Sequence, residues 1–363
     1  MSTTRKLHDM GQSLWLDNIS RAILDDGTLA RYISEFSVSG LTSNPSIFAE
    51  AVSGSDAYDD GIRKKAGQGK SGEALFMELA LEDLRRAADL FRPVFDATAG
   101  VDGWVSMEVS PLLVSDTAGS IAAAQAIHDQ GDRPNLYVKI PGTPEGVPAI
   151  EASIFAGVPI NVTLLFSTAQ YLAVAEAYMS ALERRIAAGL NPHVSSVASL
   201  FVSRWDRAVA DQVPVDMHNK LGIAVAQATY RAYRELLDSP RWKALAAKGA
   251  QPQRLLWAST GTKDPAASDT LYIEALAAPD TINTIPEKTL HAFADHGALR
   301  GPMALDGGDA DAVLAGFTSA GIDLSALAVQ LQADGAKAFV TSWQELLQTI
   351  DSRSRTLAGE GRG

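Results

Sequence analysis

Lys139 stands in the run NLYVKIPG, between Val138 and Ile140 and just before a Pro-Gly turn. A lysine inside an apolar strand pattern is unusual, because lysine is almost never fully buried without a partner. Burial disfavours an ammonium and frees the neutral amine. A neutral amine adds to a carbonyl to give a Schiff base. Glu108 in VSMEV and Asp17 in LWLDN supply carboxylates that could act as acid and base beside it. These residue types suggest Schiff-base chemistry on a ketone or ketose. A structural ion pair of Lys139 with Glu108 or Asp17 is the plainer alternative.

The neighbouring runs share a pattern. Val105, Met107 and Val109 alternate with Ser106 and Glu108; Leu136, Val138 and Ile140 alternate with Tyr137 and Lys139; Ile160, Val162 and Leu164 alternate with Asn161 and Thr163. Asp17 lies opposite Leu16, and Ser199 shares a face with Phe201. Parallel strands covered on both sides normally read as unbroken apolar runs. Here one face is apolar and the other gathers Asp, Glu, Lys, Asn, Thr and Ser from different strands. Burying such groups unpaired costs roughly 2–7 kcal/mol each, so they must satisfy one another or meet a ligand.

Eight strand-like runs can position them: SLWLDNI, FSVSGLTSNP, GWVSMEVSP, NLYVKIPG, PINVTLLFS, SVASLFVSR, RLLWASTG and DTINTIP. Helical patterns such as MELALEDLRRAADLFRPVF and AQYLAVAEAYMSALERRIAAG separate them. Strand and helix in alternation imply a parallel sheet. Eight repeats suggest a (β/α)8 barrel with additional helices, although a doubly wound open sheet yields the same alternation. In a barrel the polar faces converge on the interior near the strands' C-terminal ends. No Pro/Gly/Ser-rich linker interrupts the chain, so residues 1–363 read as a single barrel domain, with a helical C-terminal extension from about Pro302. The segment AVSGSDAYDDGIRKKAGQGKSG reads as an excursion between the second strand and its helix, and SRSRTLAGEGRG as a frayed end.

Composition narrows the function classes. The 363 residues are 46% hydrophobic and 20% charged, which suits a globular enzyme. The net charge of −12 argues against a nucleic-acid partner but not against a phosphate, which needs only a few local cations. The absence of cysteine removes thiolate nucleophiles, redox pairs and cysteine-ligated metals. No apolar segment follows the N-terminal basic residues and no run is long enough to span a membrane, so a cytoplasmic protein is the expectation.

Several motifs lack their required context. Gly67, Gly69 and Gly72 match GxGxxG but follow no strand, so a flexible loop is expected there. Asp306, Asp309 and Asp311 miss the spacing of a calcium loop and suit helix capping. His291 and His296 are five residues apart and share a helical face poorly.

GLTSNPSIF, VSMEVSP, NLYVKIPGTPEGVPAI, PINVTLLFS, LFVSRWD and LLWASTGTKDP, together and in this order, resemble the transaldolase family over most of the chain. The resemblance implies a barrel enzyme that moves a dihydroxyacetone unit between sugar phosphates in the non-oxidative pentose phosphate pathway, with no metal and no cofactor. It implies that Lys139 is the Schiff-base lysine and Asp17 the base at the C4 hydroxyl. Glu108 and Thr163 resemble the pair that holds a water for proton transfer. Asn44 and Asn161 resemble amides that bind donor hydroxyls. Ser199 and Phe201 line the pocket in this reading, while Arg204 and Ser259 bind phosphate. Many members carry an arginine where this chain has Gly261, and Lys263 is the nearest cation to replace it. The related fructose-6-phosphate aldolases are shorter and typically carry glutamine and tyrosine at the positions of Glu108 and Phe201, which favours transfer over simple aldol cleavage. The expected partners are sugar phosphates, with no membrane and a monomeric or homodimeric state.

Overall fold

The computed structural model describes residues 2–360. Eight parallel strands close into a barrel in sequence order. They are β1 (Gln12–Asp17), β2 (Val38–Thr42), β3 (Val105–Glu108), β4 (Leu136–Pro141), β5 (Ile160–Leu165), β6 (Ser196–Phe201), β7 (Arg254–Ala258) and β8 (Thr281–Ile285). The closing pair β1–β8 runs in unbroken register from Gln12↔Thr281 to Leu16↔Ile285. Helices between the strands cover the outside, so the architecture is a (β/α)8 barrel with extra helices, as the alternation implied. Closure makes the two faces unequal. The apolar set, including Val138, Ile140 and Val162, is fully buried among the helices, and the polar set points to the axis.

Local sequence explains how the strands turn into helices above the site. In TSNPS, the Asn44 side chain accepts from the Ile47 N–H, and Pro45 takes the first helical position of Pro45–Ser53. Both choices suit a helix start, where an orphan N–H needs an acceptor and a missing one costs nothing. Ser167 caps Thr168–Ala187 in the same way after β5.

The structure fills in one reading and changes two others. The segment after β2 is mostly helical: Pro45–Ser53 is followed by a single turn at Asp56–Tyr58 and the helix Asp59–Gly67. Buried Tyr58 and Ile62 hold it down, and Lys65 pairs with Glu78 and Glu82 of the next helix. The glycine run therefore only links two helices. The tail also continues as a helix, Leu324–Glu360. Arg353 anchors it to Asp56 and Asp59, at 2.7 and 2.5 Å. Residues 361–363 of the expected frayed end lie outside the described residues. Finally, the aspartates near 306 do not cap as expected. Asp311 pairs with Arg231, Asp306 accepts from the Gly308 N–H, and Asp309 makes no side-chain cap. Among the described residues no single helix is long and apolar enough to cross a membrane.

Candidate active site

Strand register assembles the centre. Glu108 of β3 pairs with Lys139 of β4, and Lys139 pairs with Asn161 of β5. Paired residues on neighbouring parallel strands point the same way, so the three side chains form one row inside the barrel. Lys139 is 6% exposed and Glu108 5%. The ammonium lies 3.2 Å from Glu108 Oε2 and donates to the Ser43 carbonyl at 2.9 Å. The Glu108 contact is an ion pair off the line of a hydrogen bond, and neither carboxylate oxygen has a hydrogen-bond partner among the described residues.

Asp17 ends β1 and is in register with Thr42 of β2. The Thr42 hydroxyl donates to Asp17 Oδ1 at 2.7 Å and lies 2.6 Å from the Thr284 hydroxyl. This fixes the carboxylate's orientation and leaves the rest of it facing the cavity. Burial pushes the Asp17 pKa up; the Thr42 hydrogen bond and the charges of Lys139 and Lys263 oppose the rise. Burial also raises Glu108. The Lys139 ammonium opposes that rise, and the Asp17 charge adds to it.

A cavity of about 160 Å³ opens over Lys139, at the C-terminal end of the strands. Asp17, Asn44, Thr163, Ser199, Phe201, Arg204, Ser259 and Lys263 all line it. Glu108 and Asn161 do not. Glu108 reaches the cavity through Lys139. Asn161 sits one layer deeper, donating to Ser106 Oγ at 3.1 Å and accepting from Ser199 Oγ at 2.7 Å. The oxygen of Asn44 serves its helix cap, which leaves the amide nitrogen for a ligand. The hydroxyl of Thr163 is buried and has no partner among the described residues.

Two residues at the rim hold left-handed backbone, Leu164 at φ 59° and Ser259 at φ 55°. Non-glycine residues adopt such angles where the surroundings impose them, and they cluster at functional sites. The pairing of β5 with β6 shifts register between Val162 and Leu165, which encloses Leu164 and re-aims Thr163. Ser259 presents its hydroxyl 3.0 Å from Ser203 Oγ, beside Arg204.

Two cations, Arg204 and Lys263, line the cavity. Arg204 makes no hydrogen bond or ion pair among the described residues; its guanidinium lies over Phe201 at 5.0 Å and over Phe339 at 5.9 Å. Burial lowers its pKa, and the nearby charge of Arg207 adds to the effect. A side-chain carbon built on Gly261 would lie 3.8 Å from Lys263 Nζ, so the ammonium folds back toward the space that a residue at 261 would fill.

Sequence reasoning missed Thr42, Thr284 and Phe339. Thr42 ends β2 and Thr284 is the last but one residue of β8, and both could have been found from their register with Asp17 and Trp15. Phe339 lies in the C-terminal helix, where periodicity marks an apolar face but not what that face covers.

Fold and site together define a (β/α)8 barrel enzyme built around one buried lysine. A family model described as Transaldolase/Fructose-6-phosphate aldolase matches residues 14–350. The chain belongs to this family. A transaldolase of Thiobacillus denitrificans is 46% identical over 358 residues, covering 96% of this chain and 100% of the relative. Transaldolases of Thermobifida fusca and Saccharopolyspora erythraea are 46% and 45% identical, each covering 96% of this chain and 97% of the relative.

Proposed function

We propose that the chain is a transaldolase, moving a dihydroxyacetone unit from sedoheptulose 7-phosphate or fructose 6-phosphate to glyceraldehyde 3-phosphate or erythrose 4-phosphate. The observation that carries this reading is the buried Lys139, set between Glu108 and the Asp17 side of a cavity whose other wall is cationic. The Lys139 amine adds to C2 of the ketose, and loss of water gives the imine. Asp17 takes the C4 hydroxyl proton as the C3–C4 bond breaks. The electron pair moves into the imine, which stabilises the three-carbon carbanion as an enamine. The donor's aldose phosphate then leaves, the acceptor aldehyde takes its place, and the steps reverse. Glu108 and Thr163, with unused hydrogen-bonding capacity, hold a water that carries protons at C2.

Asn44 and Ser199 bind donor hydroxyls, and Asn161 supports Ser199. Phe201 lines the pocket. Arg204 and Ser259 bind the phosphate, and Lys263 takes the part of the cation that other members carry at position 261. Its return toward Gly261 supports that assignment. In this reading the chain acts as a single domain in the cytoplasm, as a monomer or homodimer.

Borohydride reduction with fructose 6-phosphate, followed by peptide mass spectrometry, tests the mechanism. A reduced dihydroxyacetone adduct on Lys139 is expected, and its absence overturns the imine route. With erythrose 4-phosphate present, sedoheptulose 7-phosphate should form far faster than free dihydroxyacetone. The reverse order would make the chain an aldolase.

A further inference from the structure

Asp17 is the last residue of β1, so the strand ladder does not hold the chain beyond it. Two clamps do so instead, and both lead to β8. On the inner side the Thr42 hydroxyl holds Asp17 Oδ1 and meets the Thr284 hydroxyl. On the outer side the next residue, Asn18, donates from its amide to Glu287 Oε2 at 3.0 Å. Glu287 follows Pro286, which lines the cavity, and it opens the helix Glu287–His296. Leu16↔Ile285 is the last register pair of β1 and β8. The Asn18–Glu287 bond extends that pairing past both strand ends.

Glu287 is itself held in place. Its Oε1 accepts from the Tyr32 hydroxyl at 2.5 Å. Tyr32 lies on the helix Thr28–Phe36 and is buried. Burial and the Glu287 charge push the Tyr32 pKa up to about 12, so the phenol keeps its proton and stays a donor. That proton goes to Glu287. His291 Nε2, 2.8 Å from the same phenol oxygen, is then the donor to Tyr32. The His291 ring also packs edge-on against Tyr32 and Phe36. Both Glu287 oxygens are engaged, and none of the four residues Asn18, Tyr32, Glu287 and His291 lines the cavity.

Building on the role proposed above for Asp17, we infer that Glu287, acting through Asn18, is a positioning residue that holds the Asp17 carboxylate at the C4 hydroxyl. Thr42 fixes the Asp17 side chain, and Asn18 fixes the backbone that follows it. Without the outer clamp the end of β1 is free to shift. A displacement of about 1 Å can cost ~10²-fold in rate, even when its cause lies away from the reacting atoms. Glu108, Lys139 and Thr163 stand on β3, β4 and β5, away from this clamp. Imine formation is therefore independent of it, and the clamp serves one step, the breaking of the C3–C4 bond.

The test compares full-length wild type, Asn18→Ala, Glu287→Ala and the double variant. Transfer from fructose 6-phosphate to erythrose 4-phosphate gives kcat, and borohydride trapping with fructose 6-phosphate alone gives the adduct on Lys139. Each single variant should lower kcat by about ten- to hundredfold. The adduct should form at wild-type yield but shift from the three-carbon unit toward the whole six-carbon sugar phosphate. The double variant should lose no more than the more impaired single one, because the two residues act in one chain of contacts. A wild-type share of three-carbon adduct in the single variants, or losses that multiply in the double variant, overturns the inference. If Glu287→Ala does not fold, the kcat and adduct of Asn18→Ala decide between the same outcomes. Two controls separate the levels. Wild type without a Lys139 adduct defeats the imine reading, and Asp17→Asn with a normal three-carbon adduct defeats the role of Asp17. With both controls as expected, an unmoved adduct in Asn18→Ala removes only the outer clamp.

Discussion

Glu108 Oε2 lies 3.2 Å from Lys139 Nζ, across a β3–β4 register pair and inside the barrel. Burial costs both charges, and breaking such a pair by removing one partner typically costs ~3–5 kcal/mol. A carboxylate held here at that cost, with no hydrogen bond of its own, is available for proton transfer. Glu108→Gln should lower kcat by ~10²–10⁴-fold with little change in KM, the usual range for a lost acid–base group. Steady-state kinetics check this, and a kcat within a few-fold of wild type would make Glu108 a structural counter-ion.

In the proposed mechanism Asp17 acts one step later. Asp17→Asn should still form the imine but fail to break the C3–C4 bond. Borohydride trapping with fructose 6-phosphate should then leave the whole six-carbon sugar phosphate on Lys139 in place of the three-carbon unit. A three-carbon adduct at normal yield would move the base elsewhere.

The two raised carboxyl pKa values also link stability to pH. The native state takes up protons at Asp17 and Glu108 at a higher pH than the unfolded chain does. The resulting stabilisation is complete below the unfolded values, near ~4, and is lost as pH rises through the folded values. The Lys139 charge holds both folded values down. In Lys139→Met they should rise further, so the loss of stability with rising pH should extend over a wider window. Urea midpoints measured from roughly pH 4 to 8 test this; parallel profiles for variant and wild type would refute the coupling.

Lys263 is exposed, and it reaches into the space beside Gly261. Lys263→Ala should raise KM for fructose 6-phosphate about tenfold, the scale of one charge-assisted hydrogen bond, while kcat changes less. Turnover of unphosphorylated fructose should not respond. Equal effects on both substrates would exclude a phosphate contact.

Gly40 supports Asp17 from a distance. A side-chain carbon at Gly40 would meet the Trp15 indole at 2.5 Å, where β1 and β2 also shift register. Gly40→Ala should cost ~1–3 kcal/mol through overpacking and pull Asp17 from Thr42. Thermal unfolding and kcat should fall together, and a full-activity variant of normal stability would show that the indole has room to move.

The active-site row is legible in the sequence because a strand has a side-chain period of two. Once Val138 and Ile140 face the helices, Lys139 must face the axis, and the same logic places Glu108, Asn161 and Thr163. The period does not report depth. Asn161 has the right face but lies below the cavity, its amide used by Ser106 and Ser199. The segment after β2 reads from its glycines and charges only as an excursion, and it folds into helices. Its order comes from Tyr58, Ile62 and Lys65 finding partners on other helices, which composition cannot express.

By itself the sequence determined the eight-fold alternation, the polar inner face and the lysine at its centre, since these follow from residue type and local period. Tertiary structure alone decided which groups meet across long separations in the chain. Closure of the barrel brings Thr284 of β8 to the Thr42 that holds Asp17. The C-terminal helix carries Phe339 to within 6.0 Å of Lys139 Nζ. Such contacts depend on register, helix approach and the absence at Gly335 of a side chain that would meet Leu164, all properties of two packed surfaces that neither segment encodes alone.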